Sequence, residues 1–251
     1  MVAVSHDLML ALDRVAFAEE LGIFPDDWQR SLLRSPSERV LLNCSRQSGK
    51  STMSALIALH RALYHPGSLV LILAPSERQA KETFAKVAEA YSRLGHAVAP
   101  DSHRKLGMRL ANRSRIEALP GTEKTIRGYS GVTLLILDEA ARVDDGLYFA
   151  IRPMLAVSGG ALLMLSTPAG KRGAFYEAWM GSGWERYQVT AAQCPRISDG
   201  FLDEERRSLP SWVFRQEYEC SFEETEDQVF TTEMIDAAVS ADVEPLFGDA
   251  A

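Results

Sequence analysis

The sequence predicts an α/β fold: a mostly parallel central sheet flanked by helices, with a small C-terminal lid subdomain. Three observations point there. Uninterrupted apolar runs recur along the chain, among them SLVLILAP, VTLLILDEA and GALLMLSTP, and strands covered on both faces read this way rather than alternating. Segments with helical spacing stand between those runs. One apolar run also feeds directly into Gly49-Lys50-Ser51-Thr52, followed by a helix-forming stretch.

Element by element, a first helix is expected from Asp7 to Leu21, with Leu8, Leu12, Val15 and Ala16 as its apolar stripe and Gly22 as its stop. Pro25 opens a short second helix over DDWQRSLL. Arg39–Asn43 reads as a buried strand, and Ser51–Leu63 as the helix after the turn. SLVLILAP is the next strand, followed by a helix over Ser76–Leu94. Met108–Ala111 and Arg115–Leu119 form a hairpin around Asn112-Arg113, a turn-forming pair. VTLLILDEA is a strand ending in two acids. A helix over Gly146–Ala156 leads to the strand GALLMLSTP. Beyond Trp184 the pattern loosens: RYQVT is a further strand, and helices follow over Leu202–Ser208 and Ser211–Cys220. The expected organisation is a core over 1–183, a lid over 184–226 and a tail over 227–251 with one short helix, Met234–Val239.

The 251 residues suffice for one sizeable core. No apolar stretch approaches the length of a membrane span, and the N-terminus lacks a signal pattern. Cys44, Cys194 and Cys220 fit neither a disulfide framework nor a zinc motif, which suits a reducing, cytoplasmic setting. A net charge of −7 argues against a wholly basic nucleic-acid coat protein. It leaves room for local contact with phosphates, and His103, Arg104, Lys105, Arg109, Arg113 and Arg115 form a basic strip. Arg104, Lys105 and Arg109 are its candidate duplex contacts, competing with a plain solvated hairpin face.

LLNCSRQSGKSTMSA carries the chemistry. A strand stopping at a glycine turn before a helix aims several backbone N–H groups into one hollow, and the helix dipole adds positive charge there. Lys50 can reach β- and γ-phosphates, Ser51 can complete a magnesium shell, and Thr52 can add a hydroxyl to the α-phosphate. Ser45, Arg46, Gln47, Ser48 and Gly49 complete the loop. The usual first glycine falls at position 44, where Cys44 stands instead. In LLILDEA, Asp138 is placed to hold Mg²⁺. Glu139, turned the other way by strand alternation, is placed to address an attacking water.

Together SRQSGKST, LLILDEAARV and LLMLSTPAGKRGAFYEAW resemble the ATPase domain of the large terminase subunit, the DNA-packaging motor of tailed phages, over nearly the whole chain. The resemblance implies a P-loop NTPase of the ASCE/RecA-like kind that binds ATP and Mg²⁺. It implies a variant phosphate loop in which Arg46 addresses the phosphates, an adenine-contacting segment at Trp28 and Gln29, and a coupling motif at Ser166 and Thr167. It also implies an arginine, Arg127, that enters a neighbouring subunit's site and is worth on the order of a thousand-fold in rate. Implied partners are double-stranded DNA, a homo-oligomeric ring on a portal, the portal protein and the small terminase subunit, with no membrane, in the host cytoplasm. The family's nuclease domain cannot be built from the residues after Asp227, so cutting activity is not expected of this chain. A helicase-like remodelling ATPase and a slowly hydrolysing, nucleotide-gated assembly module are the alternatives.

Overall fold

The computed structural model describes residues 2–94, 100–104, 106–121, 126 and 128–224. The expected tail helix, Lys105 and Arg127 lie outside these residues.

The chain begins with helices α1 (Val2–Leu12), α2 (Arg14–Glu20) and α3 (Asp27–Arg34), then strand β1 (Arg39–Cys44). Helix α4 (Lys50–Tyr64), β2 (Leu69–Ala74) and α5 (Glu77–Ser92) follow. The strands β3 (Pro100–Arg104), β4 (Gly107–Leu110) and β5 (Arg115–Pro120) come next, then β6 (Leu134–Asp138), α6 (Asp145–Ala156) and β7 (Ala161–Ser166). Helix α7 (Gly173–Met180), β8 (Glu185–Val189), α8 (Asp199–Ser208) and α9 (Ser211–Tyr218) complete it.

The eight strands of the described residues join one sheet in the order β3-β4-β5-β2-β6-β7-β1-β8. From β5 to β8 every pairing is parallel; β3, β4 and β5 are antiparallel. The strand period of two sorts each apolar run between the two faces. Val70, Ile72, Leu134 and Ile136 join the core under α1–α5, whereas Leu71, Leu73, Leu135 and Leu137 join the core under α6 and α7. That two-sided burial is why these strands carry no polar alternation.

The first expected helix is two. It begins earlier than Asp7 and breaks at Asp13, whose carboxylate accepts from the Val15 N–H at 2.8 Å and caps α2. A capping side chain competes for backbone donors, and here it wins over helix continuity. Helix α7 and strand β3 were not among the expected elements. Strand β8, within the segment assigned to the lid, pairs with β1 and forms an edge of the main sheet. The part standing off the sheet after it is built from α8 and α9.

Candidate functional site

The loop after β1 and the acids after β6 meet at the carboxyl edge of the sheet. Strand β7 lies between β1 and β6, so the residues leaving β7, Ser166 and Thr167, stand beside both. Parallel strands open their carboxyl ends to one side, the usual place for a ligand in such sheets.

Gly49 has φ +93°, a left-handed conformation that glycine adopts without a Cβ penalty. An added Cβ would come within 2.7 Å of Gln29 Nε2. Lys50 then opens α4 and is buried. Its Nζ lies 3.5 Å from Glu139 Oε1, so the lysine and carboxylate singled out in separate motifs share one site. Ser45 and Ser48 are buried in the loop, with Ser48 Oγ unpartnered. Arg46 and Gln47 are exposed, and Gln47 has φ +59°. Ser51 and Thr52 are half-buried in the first turn of α4.

Asp138 ends β6 and is only 4% exposed. Its Oδ2 accepts from Thr83 Oγ1 at 2.6 Å, and Oδ1 accepts from the Glu139 N–H at 3.0 Å. Burial pushes its carboxyl above the ordinary range, while the Thr83 hydrogen bond opposes that rise. Glu139 is already outside the strand, at φ +53°. Its side chain is therefore aimed by a left-handed turn, not by strand alternation as the sequence suggested. Such a conformation in a non-glycine residue costs of order 1–3 kcal/mol and persists where surroundings enforce it.

Arg142 is the residue sequence reasoning missed. Its Nη1 donates to Glu139 Oε2 at 3.0 Å and to Thr167 Oγ1 at 3.0 Å. Its Nη2 lies 3.5 Å from Glu217 Oε1 on α9. Glu217 also pairs with Arg46, Oε2 to Nε at 2.5 Å. One guanidinium thus touches the acid, the expected coupling threonine and α9. Ser166 Oγ donates to Thr167 O at 2.6 Å and lies 3.5 Å from Glu139 Oε2. The signal in the sequence was LLILDEAARV itself, where Arg142 follows Glu139 by three residues, one helical turn.

Gln29 and Trp28, the pair expected to contact adenine, are both tied into the fold. Gln29 Nε2 donates to Ser48 O at 3.2 Å and its Oε1 accepts from the Asp26 N–H at 2.9 Å. Each end of the amide bonds backbone, so it braces the loop of residues 45–49. Trp28 is partly buried against the core. Arg196 reinforces the brace: it pairs with both Asp26 oxygens at 3.0 and 2.7 Å and donates to Ser48 O at 3.2 Å. A tie spanning 170 residues of chain left no motif to read. Beside the loop opens a cleft of about 370 Å³ lined by Arg46, Gln47, Arg196, Ile197, Phe201 and Tyr218.

Of the basic strip, Arg109 is exposed on β4, and Arg104 belongs to β3 by its backbone. The site's metal-binding potential rests on Ser51 and Asp138. A hydroxyl and a carboxylate are hard oxygen donors of the kind Mg²⁺ takes, with waters and phosphates completing its shell. Among the described residues no cluster of three His, Cys, Asp or Glu side chains offers a separate metal centre.

A parallel sheet with a strand–glycine loop–helix junction facing an acid-tipped strand defines the class: an α/β domain of the P-loop, RecA-like type. Comparison with known proteins gives the family. Residues 41–237 match the model of the terminase large subunit, T4-like virus type, N-terminal region, and the chain belongs to that family. The large terminase subunit of Thermus phage G20c is 31% identical over 86% of this chain and 52% of its own length. That of Escherichia phage T5 is 27% identical over 84% and 51%. The chain therefore spans about half the length of the curated relatives it matches. The solved large terminase ATPase domain of Thermus phage P74-26 is 26% identical, with a TM-score of 0.74 over 82% of this chain and 97% of that one. The HK97 large terminase shares the fold at 19% identity and a TM-score of 0.69, over 84% of this chain and 55% of that one.

Proposed function

We propose that this chain is the ATP-hydrolysing motor domain of a phage DNA-packaging terminase, using ATP and Mg²⁺ to move double-stranded DNA into a prohead. The observation that carries the reading is the 3.5 Å approach of Lys50 Nζ to Glu139 Oε1 beside buried Asp138. Lysine, metal-binding acid and water-orienting acid are the groups that a phosphoryl transfer to water requires. Similarity to the P74-26 ATPase domain supports it.

In this reading the triphosphate enters the hollow of residues 45–52, where backbone N–H groups and the α4 N-terminus favour negative charge. The γ-phosphate takes Lys50 from Glu139. Glu139 keeps Arg142 and Ser166 beside Oε2, and its freed Oε1 orients a water for in-line attack. Mg²⁺, held through Ser51 and Asp138, would offset charge on the β- and γ-phosphates. The base occupies the cleft by Phe201 and Tyr218, since Gln29 is already engaged as a brace. Arg46 leaves Glu217 for the phosphates, and that exchange, together with the Arg142–Thr167 contact, passes the state of the site to the lid. Arg127 acts in trans within a ring assembled on a portal, and Arg104, Lys105 and Arg109 face DNA. The small terminase subunit and portal are the proposed protein partners, in the host cell.

The test is direct. Lys50→Ala abolishes ATP turnover. Glu139→Gln binds ATP, measured by equilibrium titration, and does not release phosphate. Phosphate release by Glu139→Gln at the parent rate overturns the assignment of the water-orienting acid. Strand separation of a duplex by the parent would favour the remodelling alternative.

A further inference from the structure

Resting on the ATPase reading above, we infer that Asn43 on β1 is a positioning residue that ties the Ser166 hydroxyl to the chain leaving α9. Its side-chain carbonyl is the acceptor to which that hydroxyl turns when nucleotide fills the site.

Asn43 is in register with Ser166 on β7 and with Gln188 on β8, both parallel to β1. Register partners project from the same face of a sheet, with neighbouring strands ~4.8 Å apart. The pair Leu41 and Met164, two residues earlier in the same register, belongs to the core under α6 and α7, which fixes that face. Gln188, Asn43 and Ser166 therefore form a polar row across three strands. The row ends beside the water-orienting acid, since Ser166 Oγ lies 3.5 Å from Glu139 Oε2. Asn43 and Ser166 are both fully buried.

Asn43 Nδ2 donates to Cys220 O at 2.9 Å, just past the end of α9, whereas its buried Oδ1 has no hydrogen-bond partner. An unpartnered buried acceptor is rare and costly, and it needs a cause. The neighbouring Ser166 hydroxyl has a single proton to give, and here it goes to Thr167 O at 2.6 Å. That carbonyl has a second donor within reach, Arg142 Nη1 at 3.4 Å. The hydroxyl can leave for Asn43 Oδ1 without stranding the carbonyl it leaves. Nucleotide supplies the trigger: with Lys50 drawn to the γ-phosphate, Arg142 closes over Glu139 and Thr167 O, and Ser166 turns to Asn43. An amide that accepts at its oxygen donates more strongly at its nitrogen, so the bond to Cys220 O tightens. Filling of the site is thereby felt where the chain comes off α9.

The experiment measures ATP turnover and ATP affinity of the intact chain for Asn43→Leu, Ser166→Ala and the double variant. Leucine keeps the volume of asparagine and loses both ends of the amide. Asn43→Leu lowers kcat on the order of fivefold, the net worth of one hydrogen bond, and leaves ATP affinity by equilibrium titration unchanged. The double variant is no slower than the slower single one, because the two residues act through each other. Gln188→Leu is the control: Gln188 also donates to Cys220 O, at 3.4 Å, but stands on the far side of Asn43 from Ser166. Its effect multiplies with that of Ser166→Ala. Multiplying effects for Asn43→Leu and Ser166→Ala overturn the inference, and so does coupling of equal size in the Gln188→Leu pair. Where Asn43→Leu does not fold, Asn43→Thr, too short to bridge Ser166 and Cys220, carries the same expectation. A parent chain that binds ATP and releases no phosphate overturns the ATPase reading and this one with it; multiplying effects in an active parent overturn this one alone.

Discussion

At the scale of single residues, the site is held by a few committed side chains. Asp138 is buried and owes its place to Thr83, which reaches it from α5. Thr83→Val keeps the volume and removes the hydroxyl, leaving one carboxylate oxygen without a donor at a cost of about 1–3 kcal/mol. Chemical denaturation should show that loss. Arg142 makes a sharper case. Arg142→Ala leaves Glu139 unoriented once Lys50 turns to phosphate, so kcat should fall on the order of tenfold or more while KM for ATP changes little. Arg142→Lys, which keeps the charge and loses the fork, should restore only part. A KM effect equal to the kcat effect would show that Arg142 serves binding instead. Lys50 and Glu139 were legible in the sequence because each sits in a local motif. The brace made by Gln29 was not legible because its two partners, Ser48 O and Asp26 N, come from separate segments that only folding brings together.

At the scale of elements, apolar patterning carried the parallel strands well, since two-sided burial writes itself as an unbroken run. It failed where a local competition decided the outcome. Asp13 splits α1 from α2 by capping, and β3 had no apolar run to announce it. The packing of α1 and α2 on α4 has its own pH signature. His60 is wedged between Phe17 and Tyr64, with ring centroids at 5.3 and 4.8 Å, and faces the Leu10 carbonyl on α1 and Arg14 on α2. Burial, with Arg14 next, lowers its pKa to about 4. The unfolded chain binds the proton near 6.5 and the folded chain resists it to about 4, so stability is lost as pH falls through that window. The loss reaches a few kcal/mol at most. Thermal melts from pH 7 to pH 4.5 should show the decline, and His60→Gln should flatten it. An unchanged slope in His60→Gln would assign the acid sensitivity to other groups.

For the whole molecule, β8 belongs to the sheet while α8 and α9 stand over the nucleotide loop. Glu217 on α9 joins them to Arg46 and Arg142. Glu217→Ala should raise hydrogen exchange along α9 and leave exchange in β1 and β6 unaltered. Equal exchange in parent and variant would show that α9 is held by other contacts, such as Phe222 against Trp179 and Tyr176. Assembly has a separate signature. If Arg127 completes a neighbour's site, specific ATPase activity rises with protein concentration, and Arg127→Ala removes the rise. A flat specific activity in the parent would leave that arginine without a role in trans. Ties such as Asp26–Arg196 and Arg46–Glu217 were not legible in the sequence, because they join distant segments with no local pattern.

The Cys220 carbonyl accepts from Asn43 Nδ2 at 2.9 Å on β1 and from Gln188 Nε2 at 3.4 Å on β8. The stretch from Thr190 to Cys220 thus leaves the edge strand and comes back to be stapled beside its own point of departure. With start and finish moored to neighbouring strands, such a flap can tip about that margin but has little freedom to slide. Whatever force arises at the triphosphate would reach the outside of the molecule as a swing, like a door on its jamb.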